Sequence, residues 1–310
     1  MGNDPDNGMH RRAVLATLTA LGLGGCAATT EGPDIQLGGV RSDSGGRLTL
    51  PVTVNDITLR FAVDTAANAS VIASDLIAPL GLVPGPEINI HTLIAVERVQ
   101  TVLARTLETG AVDRRDQRLV VADRLGLGGV DGLLGTDVLA GLRLVMQFNR
   151  RRMQVAHSRT SGGFLFSEGR STVRYRAPAE QRFTNLMLID AFAGGVSCKA
   201  IIDTGARVSI INTALAQAGR ARPLLLDNGL RFQSVHSPTG LSQEAEAMMV
   251  PIIGFGGVTL RQVPVLAGDF HTFALWNLRD TPALLLGVDI LGLCKRVSID
   301  LGRSELLLEV

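Results

Sequence analysis

Two stretches of the chain set a carboxylate in the same surroundings. "FAVDTAANASVI" runs from Phe61 to Ile72 and "AIIDTGARVSII" from Ala200 to Ile211; each is an apolar run, Asp-Thr, two small residues, then a return to apolar residues. Asp64 and Asp203 are therefore the first candidates for chemistry. Two carboxylates held within a few ångströms cannot both ionise, because like charge raises the pKa of one and the pair keeps a shared proton. In that state one member takes a proton from water while the other donates to a carbonyl, and amide hydrolysis needs neither metal nor covalent intermediate. The neighbouring residues suit such a meeting. The Thr65 and Thr204 hydroxyls can bond across a twofold axis. Ala66, Ala67, Gly205 and Ala206 are small enough for two turns to approach closely. Phe61, Val63, Ile201 and Ile202 would desolvate the pair and sharpen its electrostatics.

Carboxylates this far apart in sequence need a scaffold that brings them together, and the chain carries one twice. "LTLPVTVNDITLRFAVDT" alternates apolar and polar residues about Asn55-Asp56, and "TNLMLIDAFAGGVSCKAIIDT" repeats the form about Gly194-Gly195, which predicts two hairpins. A serine follows each Asp at the same spacing (Ser70, Ser209), then a short helix-like segment. Downstream, "DGLLGTDVL" from Asp131 is answered by "ALLLGVDIL" from Ala283, in the same order and at comparable distance, which marks a duplication. Strand patterns dominate, so the expected class is all-β with short helices. The expected domains are 48–157 and 170–310, parted by the Gly- and Ser-containing segment near 157–170. The intervening segments predict two flaps. Ser237-Pro238-Thr239-Gly240 is a hairpin tip, whereas "INIHTLIAVERVQTVL" has no Gly or Pro at its tip. His91 and His236 fall in these segments and are read as exposed strand residues. Asp137 and Asp289 are read as helix caps, with Arg207 as a partner of Asp289.

"DTGA" at Asp203–Ala206 with downstream "LLLGVDIL" resembles the retropepsin branch of the aspartic proteases, and "DTAA" at Asp64–Ala67 with "LLGTDVL" resembles a divergent second copy. The chain is similar to a fused pair, as in bacterial periplasmic retropepsin-like proteases and, more distantly, pepsin, from about Arg47 to Val310. The resemblance implies two pseudo-symmetric β-barrel lobes with a cleft between them. It further implies Asp64 and Asp203 as the catalytic pair, and Thr65, Ala66, Ala67, Thr204, Gly205 and Ala206 as the turns that support it. A polypeptide substrate and a competent monomer follow. Two departures bear on this. Ala66 stands where the family has glycine, which brings strain if φ is positive and only a narrower floor if φ is negative. Ala67 and Ala206 lack the hydroxyl that pepsin-like enzymes carry there, which predicts an optimum at weakly acidic pH. The flap tyrosine of pepsin has no counterpart, and Tyr175 is read as core or edge. The competing reading, a catalytically impaired protease acting as a peptide-binding module, draws on Ala66.

Composition sets the limits. Of 310 residues, 46% are hydrophobic and 19% charged, which is a globular balance. A net charge of +1 gives no basic field for nucleic acid, and one Trp with one Tyr gives no stacking platform. No Cys/His cluster has ligand spacing, so no metal or cofactor is expected. At the N-terminus His10-Arg11-Arg12 precedes "AVLATLTALGLGG", a run too short to span a bilayer, which ends at Cys26. Leu23-Gly24-Gly25-Cys26 resembles a lipobox, so residues 1–26 are expected as a signal peptide and Cys26 as a lipid anchor. Residues 27–47 then form a tether, and the protein is exported to the periplasm or cell envelope. The twin-arginine and general routes both stay open, as do Met1 and Met9 as starts. Cys198 and Cys294 are expected as buried free thiols rather than a disulfide.

Overall fold

The alternation about Asn55-Asp56 folds as a hairpin in the computed structural model, which describes residues 35–36, 39–110, 112–158, 174–182 and 185–310. Strand β1 (Leu48–Val54) pairs antiparallel with β2 (Ile57–Val63), and the turn has φ of 45° at Asn55 and 71° at Asp56. Such a two-residue turn matches the twist of the strands, and Asn and Asp tolerate its left-handed backbone. Four more strands follow: β3 (Val71–Ala73), β4 (Thr101–Thr109), β5 (Val112–Ala122) and β6 (Gly132–Leu134). β2 pairs parallel with β6, β6 antiparallel with β3, β3 parallel with β5, β5 antiparallel with β4, and β4 returns antiparallel to β1. The six strands close a ring, leaving no free edge among them.

The second half repeats the ring. β7 (Leu186–Ala193) and β8 (Val196–Ile202) form the hairpin, with φ of 59° and 86° at Gly194 and Gly195. β9 (Ile210–Ile211), β10 (Ser242–Phe255), β11 (Val258–Ala267) and β12 (Ala283–Leu286) complete it. Each pairing has the same partner and sense as in the first half, down to the closing antiparallel contact of β10 with β7. The all-β class and its pseudo-symmetric barrels are thus as the sequence predicts. Helices are short: Thr136–Leu139, Thr213–Ala218, His271–Leu275 and Val288–Leu291.

A third sheet joins the halves. Leu142–Gln147 pairs with Arg296–Asp300, setting Leu144 opposite Ile299. Arg152–His157 and Ile35–Gln36 extend it on one side, Glu305–Glu309 and Arg174–Arg182 on the other. Tyr175 is half-buried there opposite Leu308, in keeping with its reading as core or edge. One apolar cluster runs through all three sheets, from Leu50, Phe61 and Ile72 through Met146 and Ile299 to Ile202 and Leu286. Each such fully buried side chain contributes about 1.5–3 kcal/mol over its exposed state, so the halves are welded by a common core.

The fold also draws on residues ahead of Leu48. Arg41–Ser42 pairs with the start of β1, and the Asp43 carboxylate accepts from the Gly45 and Arg47 N–H groups at 2.9 Å, which shapes a tight turn. Residues 1–34, with the apolar leader-like run and Cys26, and residues 159–173, at the expected boundary between lobes, lie outside the described residues. No helix among the described residues is long and apolar enough to cross a membrane.

Candidate active site

Each of the two aspartates leaves the end of a strand that is clamped by its parallel neighbour. The Asp64 N–H donates to the Leu134 carbonyl and the Asp203 N–H to the Leu286 carbonyl, both at 3.0 Å. The chain then turns back on the carboxylate. Asp64 Oδ1 accepts from the Ala66 and Ala67 N–H groups at 3.0 Å each, and Asp203 Oδ1 accepts from Gly205 and Ala206 at 2.8 and 2.9 Å. These bonds tie Oδ1 of each carboxylate to its own turn.

Thr65 and Thr204 join the turns. The Thr65 N–H donates to Thr204 Oγ1 at 3.2 Å and the Thr204 N–H to Thr65 Oγ1 at 3.1 Å, across 139 residues. Each hydroxyl donates in turn to a carbonyl of the opposite strand, Thr65 to Ile202 at 3.0 Å and Thr204 to Val63 at 2.8 Å. Both threonines are buried, so each hydroxyl meets its donor and acceptor needs without water. Removing either would orphan buried backbone groups of the other half.

The grip brings the carboxylate of one turn onto the backbone of the other. A Cβ built on Gly205 would lie 2.4 Å from both Cγ and Oδ2 of Asp64, closer than such contacts occur. Both aspartates are half-buried, and loss of solvent around the carboxyls pushes each proton affinity above the usual carboxylate range; Asp203 is pushed up to about 8 by this desolvation and then by the charge of Asp64. Between their two titration steps the pair carries one proton, which belongs to the dyad rather than to either residue. Ala66 is not among the residues of positive φ, so the alternative of strain does not apply; its methyl packs against an apolar cluster of the second half.

Two readings from the sequence need correction. Asp137 and Asp289 are not the N-cap residues, which are Gly135 and Gly287 with no side-chain cap bond, although Asp289 also accepts from the first-turn Ile290 N–H at 2.9 Å. Asp137 instead accepts from the Ser70 hydroxyl at 2.7 Å and N–H at 3.0 Å, and Asp289 from the Ser209 hydroxyl at 2.7 Å and N–H at 2.9 Å. The serine Oγ atoms accept from Gly135 and Gly287, closing the same buttress behind each aspartate turn. The repeated serines were the signal, since a serine offers two donors where a helix terminus was already served. Arg207 does not pair with Asp289 but with Asp43, at 3.1 Å, and with the Gly128 carbonyl at 3.2 Å.

Arg47 was missed altogether. The residue is 6% exposed, and its guanidinium donates to Asp43 at 2.7 Å and to the Leu127 carbonyl at 2.7 Å, and makes a long 3.5 Å contact to the carbonyl of Gly205 in the second turn. It is buried because Asp43 supplies the countercharge.

The two intervening hairpins meet each other. Phe232–His236 pairs with the start of β10 around the Ser237–Gly240 tip, where Gly240 has φ of 96°. Ile88–His91 pairs with Val96–Val99, and Thr92 makes the tip that lacked Gly or Pro, its hydroxyl accepting from the Ile94 and Ala95 N–H groups. Glu97 of the first hairpin accepts from the hydroxyls of Ser237, at 3.3 Å, and Thr239 of the second. Leu93 accepts from the Thr272 N–H at 3.2 Å, and His91 stacks on His271 with ring nitrogens 2.9 Å apart. His91 and His236 are exposed strand residues, as read. Cys198 and Cys294 are buried free thiols, and burial raises their pKa values to about 12, with help from Asp190, and to about 11. Among the described residues, no group of three or more His, Cys, Asp or Glu is disposed to hold a metal ion.

A family model described as aspartyl protease matches residues 50–138 and 189–290, well over half of the chain and both aspartate turns. No curated protein matches the chain.

Proposed function

The chain belongs to this aspartyl protease family, and we propose that it is an endopeptidase in which Asp64 and Asp203 activate a water for attack on a peptide carbonyl. The observation that carries the reading is the reciprocal bonding of the buried Thr65 and Thr204, which holds together two half-buried aspartates from turns 139 residues apart. With one proton shared, the ionised carboxyl deprotonates the water and the protonated one donates to the carbonyl oxygen; the roles then reverse as the amine leaves. Burial raises both proton affinities, and neither Ala67 nor Ala206 offers a hydroxyl to favour the charged form. The singly protonated state is therefore centred at weakly acidic pH. Membership of the family supports a polypeptide substrate. Both carboxyls lie on one chain, so a monomer suffices. The leader-like run and Cys26 support export to the cell envelope with a lipid anchor. The competing reading of an impaired peptide-binding module draws on Ala66, which is not among the residues of positive φ, so backbone strain at that position does not favour it.

The test is cleavage of a mixed peptide library by the purified chain across pH, with Asp64→Asn and Asp203→Asn alongside. Each substitution should lower kcat/KM by about 10²–10⁴-fold or more, the usual worth of acid–base catalysis. Cleavage that survives either one sinks the dyad, and a rate maximum below about pH 3 contradicts the weakly acidic optimum.

A further inference from the structure

The two barrels repeat each other's hydrogen bonds around the dyad, yet the charge beside it is one-sided. The offset of 139 that relates Thr65 to Thr204 relates Arg47 to Leu186, an apolar residue 4% exposed. It also relates Asp43 to Arg182, whose guanidinium turns to Glu180 and the Trp276 carbonyl. Among the described residues, only the first-half side therefore presents a buried cation in contact with the turn of the dyad.

We infer that Arg47 is a positioning residue of the catalytic pair: anchored by Asp43, its buried positive charge holds the Gly205 turn in place and keeps the dyad singly ionised in the working pH range. The geometry supports both parts. The Arg47 guanidinium is fixed by two short bonds, to Asp43 Oδ2 and the Leu127 carbonyl, and from there reaches the Gly205 carbonyl at 3.5 Å. Gly205 is the residue whose Cα faces the Asp64 carboxylate. The bracket holds two cations, Arg47 and Arg207, against one anion, Asp43, so one positive charge remains in surplus. Arg47, with its side chain 7% exposed, acts on the dyad through protein, where screening is weak, whereas Arg207 at 39% is screened by water. Arg47 also lowers the proton affinity of both Asp64 and Asp203, against the larger effect of burial. The groups that set the charge state of the pair are thus the two carboxyls themselves and Arg47, with Asp43 and Arg207 behind it.

The kinetic arm of the test rests on the endopeptidase reading; the spectroscopic arm does not. Aspartate carboxyl carbons are followed by NMR through a pH titration, and kcat/KM is measured over the same range, for the natural chain, Arg47→Gln and Arg47→Lys. In Arg47→Gln both dyad steps should move up by about half to one pH unit, and the acid limb of kcat/KM with them, a loss of about 3–10-fold on that limb. Arg47→Lys keeps the charge but not the fork, so its steps should stay in place while kcat falls. Should Arg47→Gln fail to fold with Asp43 left to Arg207 alone, Asp43→Asn keeps an accepting oxygen but removes the negative charge that offsets Arg47 and Arg207, and both dyad steps must then move down. Dyad steps that do not move, with kcat/KM lowered equally at every pH, overturn the inference and leave Arg47 a structural bracket. If the natural chain cuts no peptide, the endopeptidase reading fails, and the NMR titration still decides the role of Arg47.

Discussion

At the third position of the two aspartate turns, one half carries Ala66 and the other Gly205, and space rather than backbone conformation explains which is which. Neither residue has positive φ, so the freedom of glycine to adopt a left-handed backbone is not used at either. What differs is the neighbour. A side chain at Gly205 would run into the carboxylate of Asp64, 2.4 Å away. The Ala66 methyl instead packs against an apolar cluster of the second barrel that includes Leu186, Phe270, Phe273 and Trp276. The hydrogen bonds are symmetric to within a few tenths of an ångström; the volumes are not. A duplicated site of this kind needs one glycine, under the carboxylate that lies across the axis, and can spend the other position on packing.

The sharpest way to break this comparison is Gly205→Ala. The new methyl must displace the Asp64 carboxylate or push the two turns apart, and a displacement near 1 Å in such a site costs about 10²-fold in rate. We expect kcat/KM to fall by at least about 100-fold while the barrels stay folded by circular dichroism. Activity within threefold of the natural chain would mean that the turns do not meet as closely as described.

Next in size is an effect on stability. Burial and Asp64 set the Asp203 proton affinity in the folded protein, to about 8, above its ordinary value of 3.8. A raised group contributes stability in full below its unfolded pKa and loses it as pH rises through the folded one. The Asp203 contribution is therefore present near pH 4 and lost progressively by about pH 8. Asp203→Asn cannot ionise, so its Tm should match the natural chain near pH 4 and exceed it near pH 8 by about 3 °C or more, each kcal/mol being worth about 2–4 °C at this size. A Tm difference that does not vary with pH would remove the desolvated, mutually repelling pair from the account.

The parts of this site that the sequence displays are those encoded locally or twice. Asn55-Asp56 and Gly194-Gly195 announce their hairpins because so few residues accept two successive left-handed dihedrals. Asp64-Thr65 and Asp203-Thr204 stand out because each apolar strand ends on them. Ser70 and Ser209 were visible as a repeat, yet their partners were not. The carboxylates of Asp137 and Asp289 sit at helix starts, where a capping rule applies, and only the folded chain shows that each serine supplies two donors to them. Thr92 makes a turn with its hydroxyl and so escapes a search for Gly or Pro. Arg47 was illegible for a different reason. Its counterpart is Leu186, so the duplication gives no hint of it, and its contacts at Leu127 and Gly205 are 80 and 158 residues away.

Ala66→Gly should produce the smallest effect and is the most direct check on the asymmetry. It deletes one methyl from contact with the second barrel's apolar cluster, worth about 0.8 kcal/mol if fully buried. It also frees the unfolded backbone, which costs about 0.4–1 kcal/mol more. The turn bonds from residues 66 and 67 to Asp64 are backbone bonds and survive the change. The prediction is a Tm lower by a few degrees with kcat/KM within about threefold of the natural chain. Should activity instead rise by more than about tenfold, the Ala66 methyl would be acting on Asp203 much as a methyl at 205 would act on Asp64. Space would then constrain both turns equally, and the difference between them would lie in what the chain tolerates rather than in how the dyad leans.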